Sequence, residues 1–280
     1  MPELPEVETI RRDLDKEVVG KRIKTVDVTG MRSIRRHPNK KHFIAQLEGH
    51  KLAGVDRKGT YLLIRIEGSD ILIVHLGMSG QLLRARSEAR DPLVEHTHVV
   101  ITFTQGGQLR FVDPRTFGEM FVTTPDDLAA DVPELAHLGF DPVEDMMSWN
   151  RFGELLTVRK AKLKSLLMDQ KFTAGIGNIY SDEILFGAGL RYDRSSDTLS
   201  SQEVRRLYRA MVETLQDAIK HRGSSLADEQ YRDLFGVKGQ YQTLHKVYDR
   251  EGQTCRRCRS TIAKVKFNGR SAFLCPQCQV

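Results

Sequence analysis

Apolar residues in the first twenty positions recur at the spacing of one helix face. They are Leu4, Val7, Ile10, Leu14 and Val18. Residues three and four apart lie one above another on a helix. The pattern therefore predicts a long first helix with one buried face, and Gly20 follows it as a stop signal.

The hydrophobic period changes to two over the next hundred residues. Residues 21–29 alternate as a strand does, and a short helix is predicted just before Gly49. Further strands are predicted at Tyr61–Ile66, Ile71–Leu76, Gln81–Arg84, His98–Thr104 and Gln108–Val112. Gly106-Gly107 joins the last two as a hairpin turn. This half of the chain predicts a β-sandwich or barrel with the first helix packed on it.

Helical patterns return after a stretch rich in proline and acidic residues at 125–148, which indicates a linker. The longest helix begins with a capping box at 200–203 and continues to Gly223. Ahead of another helix, Gly175, Gly177 and Asn178 form a tight turn with exposed amides that can bind a phosphate. Residues 222–242 are polar and are predicted to be a mobile loop. The predicted fold class is α+β.

All four cysteines lie near the end of the chain, as Cys255-x2-Cys258 and Cys275-x2-Cys278. Two such pairs in a reducing compartment are typical of a structural zinc site with four thiolate ligands. Disulfides are the alternative. Asn268-Gly269 lies between two short apolar segments and predicts a β-hairpin, with Arg270 beside its tip. Because no ligand position stays open, the predicted zinc is structural and not catalytic.

The net charge of +6 comes from 43 Lys and Arg residues against 37 Asp and Glu residues. Its distribution says more than its size. The segment from Cys255 to Val280 carries basic residues and no acidic one, and a second basic cluster lies at 159–164. Clustered basic charge favours a polyanion such as nucleic acid as the partner, although a solvated surface explains charge alone equally well.

No apolar run approaches the length needed to span a membrane, and residues 1–20 do not resemble a signal peptide. We therefore expect a protein of the cytoplasm or nucleoid, with no membrane partner. In that compartment thiols stay reduced.

The first residues, Pro2-Glu3, offer a second kind of chemistry. If Met1 is removed, Pro2 carries a secondary amine that can attack an electron-poor carbon and form an iminium. Glu3 is close enough to act as its acid or base. A helix start explains the same stretch, since Pro and acidic residues suit the positive end of the helix dipole. Taken alone, the stretch fits the helix start better.

The chain resembles the bacterial formamidopyrimidine-DNA glycosylases, which repair oxidised purines in DNA. The resemblance covers the full length. It is carried by Met1–Thr9 (MPELPEVET), His75–Gly80 (HLGMSG), Asp113–Gly118 (DPRTFG), Gly177–Glu183 (GNIYSDE) and the cysteine pairs ending in Cys275–Cys278 (CPQC).

The resemblance implies a catalytic β-sandwich at 1–130 and a linker at 131–148. It further implies a helix–two-turns–helix module with a lesion-capping loop at 149–242 and a zinc finger at 243–280. A monomer that binds damaged double-stranded DNA is expected, with one structural zinc ion per chain. The loop at 222–242 is the part that covers the extruded base.

The resemblance also implies roles for individual residues. Pro2 is the nucleophile at C1′ of the damaged nucleotide, and Glu3 is the acid that assists ring opening and base loss. Lys58 assists β-elimination, and Arg270 is assigned to δ-elimination and phosphate binding. Residues that fill the gap left by the extruded base are Met78, Arg115 and Phe117. Other expected DNA contacts are His96, Arg159, Lys164 and Asn178.

Two positions depart from the family pattern. The family often has Gly after the first cysteine pair, where this chain has Arg259, and often has Gly-Gly before the capping loop, where this chain has Arg222-Gly223. Two other functions stay open. One is the sister endonuclease VIII type, which acts on oxidised pyrimidines, although Glu3-Leu4-Pro5 argues against it. The other is a damage-binding protein without catalytic activity.

Overall fold

The computed structural model describes residues 1–228 and 230–280, which divide into two compact units. Unit 1 contains Met1–His137 together with Arg222–Gln240. Unit 2 contains Leu138–His221 together with Tyr241–Val280.

Unit 1 contains two antiparallel sheets of four strands each within its described residues. The strands are β1 (Ile23–Val28), β2 (Leu52–Lys58), β3 (Tyr61–Ile66), β4 (Ile71–His75), β5 (Gln81–Ala85), β6 (Thr97–Phe103), β7 (Gln108–Val112) and β8 (Glu119–Thr123). One sheet has the order β1-β6-β7-β5 and the other the order β2-β3-β4-β8. The predicted N-terminal β-sandwich is therefore confirmed.

The strands at 61–66 and 108–112 match the prediction, whereas β2 and β8 were not predicted. The pairing of β2 with β3 shifts register between Leu52 and Gly54, which breaks the alternation. Every residue of β8 is buried, so no polar face marks it as a strand. Periodicity cannot reveal a strand that is covered on both faces.

The first helix, α1 (Leu4–Val18), packs on the sandwich through the face that the sequence predicts. Its residues Val7, Ile10, Leu14 and Val18 belong to one core cluster with residues of both sheets. The shorter helices of this unit are α2 (Lys40–Ala45), α3 (Leu128–Asp131) and α4 (Pro133–Ala136), with a 3-10 helix at Met31–Ile34.

Unit 2 contains the helices α5 (Trp149–Thr157), α6 (Leu163–Leu167), α7 (Asn178–Ala188) and α8 (Ser201–Lys220). The predicted capping box starts α8, since Ser200 Oγ accepts from the Glu203 amide and Glu203 accepts from the Ser200 amide. Two 3-10 helices lie at Ser196–Thr198 and Tyr241–Leu244. The strands β9 (Ala263–Phe267) and β10 (Arg270–Leu274) form the predicted hairpin around Asn268-Gly269.

Within the described ranges, no helix combines the length and the apolar character that a bilayer crossing requires.

Candidate active site

The N-terminus of α1 holds the two residues with predicted reactive groups. Pro2 is buried behind an exposed Met1, and Glu3 is the N-cap residue of α1 and is buried as well. The Glu3 amide donates to Glu6 Oε2 at 2.9 Å, which completes a capping box. The helix start is therefore real, and it also fixes the backbone that carries the amine and the carboxyl group.

Glu6 links the start of α1 to the segment that begins at Arg222. Its other oxygen, Oε1, accepts from the Ser224 amide at 2.7 Å. Gly223 has a φ of +75°, and a Cβ at this position would lie 2.7 Å from Glu6 Oε1. Only glycine lets the backbone approach this carboxylate so closely. Sequence reasoning missed Glu6, although its spacing of three residues from Glu3 is the signal of a capping box.

Lys58 ends β2 and is exposed beside a clamped turn. The preceding Arg57 is buried and donates to Glu8 Oε2 of α1 at 3.0 Å and to the Gly59 carbonyl at 2.9 Å. Burial alone would raise the pKa of Glu8, but hydrogen bonds from Arg11 and Arg12 and the charge of Arg57 outweigh it and lower that pKa. Lys58 lies on this turn. The ionised Glu8 thus anchors the turn to α1, the helix that follows Pro2.

Met78, Arg115 and Phe117 all lie on the surface of unit 1. Met78 is 41% exposed and Phe117 is 46% exposed, so neither residue is part of the core. The Arg115 guanidinium lies 4.9 Å from the centre of the Phe117 ring. Two exposed apolar side chains, one of them with an arginine stacked on its ring, are suited to contact unstacked bases.

A single buried carboxylate organises the two loops that carry these three residues. Asp113 Oδ1 accepts from Ser79 Oγ at 2.6 Å and from the Arg115 amide at 3.2 Å, and Oδ2 accepts from the Gly118 amide at 2.8 Å. A Cβ on Gly77 would lie 2.7 Å from the Gly118 nitrogen. The two loops therefore meet backbone to backbone, and Asp113 holds them there.

His96 is exposed and has a left-handed backbone with a φ of 63°. Its carbonyl accepts from the Asp113 amide at 3.0 Å, so it lies beside the same pair of loops. Its Nε2 lies 3.4 Å from a carboxylate oxygen of Glu95.

Lys164 of unit 2 is fully buried, which its place in a basic cluster did not suggest. Its ammonium lies 2.6 Å from Asp182 Oδ1, and Asp182 Oδ2 accepts from the Phe273 amide at 2.9 Å. Burial raises the pKa of Asp182 to about 6, while the Lys164 charge and hydrogen bond oppose that shift. Lys164 thus ties α6 to α7 and β10, and its expected contact with a DNA phosphate stays a prediction.

Asn178 is the first residue of α7 and follows the N-cap Gly177. Its Oδ1 is buried and has no hydrogen-bond partner among the described residues. Arg159 is exposed, with its guanidinium 5.9 Å from the centre of the Phe172 ring. Arg270 is exposed at the start of β10. The exposed guanidinium groups of Arg159 and Arg270 are able to meet a phosphate.

The four cysteines form one cluster, with their sulfurs within 4.8 Å of one another. All four are free thiols, so the disulfide alternative is wrong. Cys258 and Cys275 have their sulfurs 3.4 Å apart, and Cys255 and Cys278 have theirs 3.9 Å apart. Tetrahedral zinc with bonds of about 2.3 Å requires sulfurs roughly 3.8 Å apart. The geometry fits one zinc ion.

Two further residues shape this cluster. The Ser260 hydroxyl, which sequence reasoning missed, lies 3.0 Å from Cys258 Sγ and 3.1 Å from Cys275 Sγ. Arg259 has a φ of +71°, a conformation that glycine adopts without strain. Glycine at this position, which the resemblance to the family leads us to expect, would avoid that strain.

We expect that Lys164→Met lowers the free energy of unfolding by about 3–5 kcal/mol, because it leaves Asp182 buried without its cation. The double variant Lys164→Met with Asp182→Asn should recover part of this loss. Trp149 is the only tryptophan of the chain and lies in unit 2, so its fluorescence during urea unfolding is the measurement.

Arg209→Ala is the control for this experiment. Arg209 forms an exposed pair with Glu213 on α8, and such pairs contribute about 0.3–0.5 kcal/mol. If Lys164→Met costs no more than the control, the buried pair does not stabilise unit 2.

Comparison with families of known proteins finds three matches along the chain. Residues 1–120 match the formamidopyrimidine-DNA glycosylase N-terminal domain, and residues 138–230 match the formamidopyrimidine-DNA glycosylase H2TH domain. Residues 252–280 match the zinc finger found in FPG and IleRS.

Proteins that match this chain over its full length bear the name of the same family. The formamidopyrimidine-DNA glycosylase of Pelotomaculum thermopropionicum is 40% identical, with 100% of this chain and 99% of that protein covered. The enzyme of the same name from Heliobacterium modesticaldum is 41% identical, with both chains covered completely.

Solved structures show the same fold. MutM (Fpg) from Thermus thermophilus superposes with a TM-score of 0.86 at 38% identity, covering 99% of this chain and 98% of that one. Lactococcus lactis Fpg in complex with DNA containing an abasic site gives a TM-score of 0.88 at 33% identity, covering 99% of each chain. MutM in complex with DNA containing carbocyclic 8-oxo-G gives a TM-score of 0.87 at 33% identity, again with 99% of each chain covered.

Proposed function

The chain belongs to the formamidopyrimidine-DNA glycosylase family, and we propose that it removes oxidised purines from duplex DNA and then nicks the strand. The observation that carries this proposal is the full-length similarity to enzymes of that name, with Pro2 and Glu3 fixed at the start of α1. The chain is a base-excision repair glycosylase that binds damaged double-stranded DNA, and its four-cysteine cluster is a structural zinc site.

The proposed reaction starts at the N-terminal amine. Once Met1 is removed, the Pro2 nitrogen bonds to C1′ of the damaged nucleotide, and the bond from C1′ to the base breaks. Glu3 supplies the proton that assists sugar-ring opening and base loss. The product is an iminium that joins enzyme and DNA.

Strand nicking follows from the same intermediate. We propose that Lys58 assists the β-elimination that expels one phosphate and that Arg270 assists the δ-elimination that expels the other. The ion pair between Glu8 and Arg57 supports this assignment for Lys58, since it fixes the Lys58 turn to the helix that carries the nucleophile.

A base inside a duplex must be extruded before this chemistry, and the gap must be filled. We propose that Met78 and Phe117 fill the gap and that Arg115 contacts the base left unpaired. Phosphate contacts are proposed for His96, Arg159 and Asn178, which would position the duplex without reading its sequence. The same contact is proposed for Lys164, where it requires the buried pair with Asp182 to open.

We propose that the sandwich at 1–130 carries the catalysis, with 131–148 as linker. The helical module at 149–242 and the finger at 243–280 would hold the DNA. Two observations support a capping role near the nucleophile: Arg222–Gln240 groups with unit 1, and the Ser224 amide donates to Glu6 of α1.

The direct test is incubation with a duplex that contains 8-oxoguanine opposite cytosine. We expect the free base and a nicked strand as products. Preference for an oxidised pyrimidine would support the endonuclease VIII type instead. Binding without either product would support a damage-binding protein.

Arg115→Ala is expected to lose the preference for cytosine opposite the lesion. A bidentate contact of an arginine with a base edge discriminates by about 1–3 kcal/mol, which is roughly tenfold to a hundredfold. The measurement is the excision rate against each of the four opposing bases.

Arg159→Ala is the matched control, because it also removes an exposed guanidinium. It should weaken binding evenly across opposing bases and reduce the salt dependence by about one phosphate contact. An Arg115→Ala enzyme with unchanged preference for the opposing base would show that Arg115 does not face that base.

A further inference from the structure

Arg222 occupies an unusual position at the start of the 222–240 segment. Its φ is +60°, in the left-handed region that glycine enters freely and that other residues avoid. A strained arginine at such a position requires compensating interactions of its side chain.

The side chain makes these interactions with two acidic residues of unit 1. Arg222 Nε donates to Asp233 Oδ2 at 2.7 Å, and Nη2 bonds both this oxygen and Asp13 Oδ2. The Asp13 side chain is 9% exposed and the Asp233 side chain is 2% exposed. One guanidinium therefore neutralises two largely buried carboxylates, one of them on α1.

Asp233 in turn builds the turn that follows it. Its Oδ1 accepts from the Phe235 and Val237 amides, both at 2.9 Å. The Leu234 carbonyl accepts from the Arg84 amide of the edge strand β5 at 2.8 Å, and the Tyr231 hydroxyl donates to the Arg222 carbonyl at 3.0 Å. We name residues 230–240 the capping segment. Through Asp233, Arg222 connects this segment to α1.

We propose that Arg222 is a positioning residue for base removal, because it holds the capping segment on the helix that carries Pro2 and Glu3. This inference rests on the proposed function, in which the segment covers the extruded base. Base removal needs the cover, whereas an abasic site presents no base to cover. Arg222 therefore acts on the excision step and not on strand nicking.

The test uses the full-length protein with Arg222→Gly, because glycine adopts this left-handed backbone without strain. We expect excision of 8-oxoguanine to fall by about tenfold, with nicking of a preformed abasic site within about twofold of the unchanged protein. Amide hydrogen exchange without DNA should rise by about tenfold at Phe235 and Val237 and stay constant in β4.

A second variant distinguishes loss of the link from general destabilisation of the fold. Arg222→Gly leaves Asp13 and Asp233 facing each other, and the added Asp13→Asn removes this repulsion without restoring the link. The double variant should keep the nicking activity and the excision defect. Arg209→Ala, which removes one positive charge from an exposed pair on α8, should leave both activities unchanged.

Unchanged excision with unchanged exchange in Arg222→Gly would overturn the proposal. So would a parallel loss of excision and nicking in the double variant, since that outcome indicates a general structural role. If the unchanged protein excises no 8-oxoguanine, the proposed function fails. Hydrogen exchange then still shows whether Arg222 holds the segment.

Discussion

An uncleavable extension ahead of Pro2 is expected to reduce base excision by roughly a thousandfold or more, the scale on which enzymes lose activity with their nucleophile. The extension turns the Pro2 nitrogen into an amide, which cannot form an iminium. Borohydride reduction in the presence of 8-oxoguanine duplex should cross-link the processed protein to DNA and leave the extended protein free. Gel electrophoresis of the trapped complex is the measurement.

The structure offers a matched control for this experiment. Met1 and Val280 are both exposed, so the same extension can be placed at either end without entering the core. Extension after Val280 should leave trapping intact. Pro2→Gly keeps a primary amine and should retain some trapping. Strong trapping by the N-terminally extended protein would show that another amine is the nucleophile.

Removal of zinc is expected to unfold the finger and weaken DNA binding by at least about a hundredfold. The apolar cluster around the hairpin is small and includes two of the cysteines, Cys255 and Cys275. A core of this size does not hold a hairpin without a metal, and binding of structural zinc supplies the folding free energy. Loss of the finger would also remove the proposed DNA contact of Arg270.

Metal analysis of reduced protein should find one zinc ion per chain. Cys258→Ser should lower the zinc content and the affinity for abasic DNA together, while the sandwich of unit 1 keeps its thermal transition. Zinc added back after chelation should restore binding to the unchanged protein and not to the variant. Protein that binds DNA fully without zinc would contradict a structural role for the metal.

The sequence reveals features that depend on local spacing. The face of α1, the capping box of α8 and the zinc hairpin are each defined by residues close together in the chain, and the structure contains all three. Local geometry is largely decided by local chemistry, so short patterns suffice.

Long-range partnerships are different. Lys164 lies in a basic cluster and carries a charge, yet it is buried because Asp182 meets it from the next helix. The link between Arg222 and Asp13 spans 209 residues. The sequence spacing of these residues does not predict that they pair, because tertiary packing alone brings them together.

The shared support of the two loops at Asp113 has an evolutionary consequence. The shape of the two loops is set by Asp113, Gly77 and Gly118. The exposed side chains at the loop tips are those of Met78, Arg115 and Phe117. Because the tips contribute little to this framework, they are free to diverge while the loops keep their form. If Arg115 contacts the opposing base as proposed, new tip residues can change the preference for that base while the framework residues stay as they are.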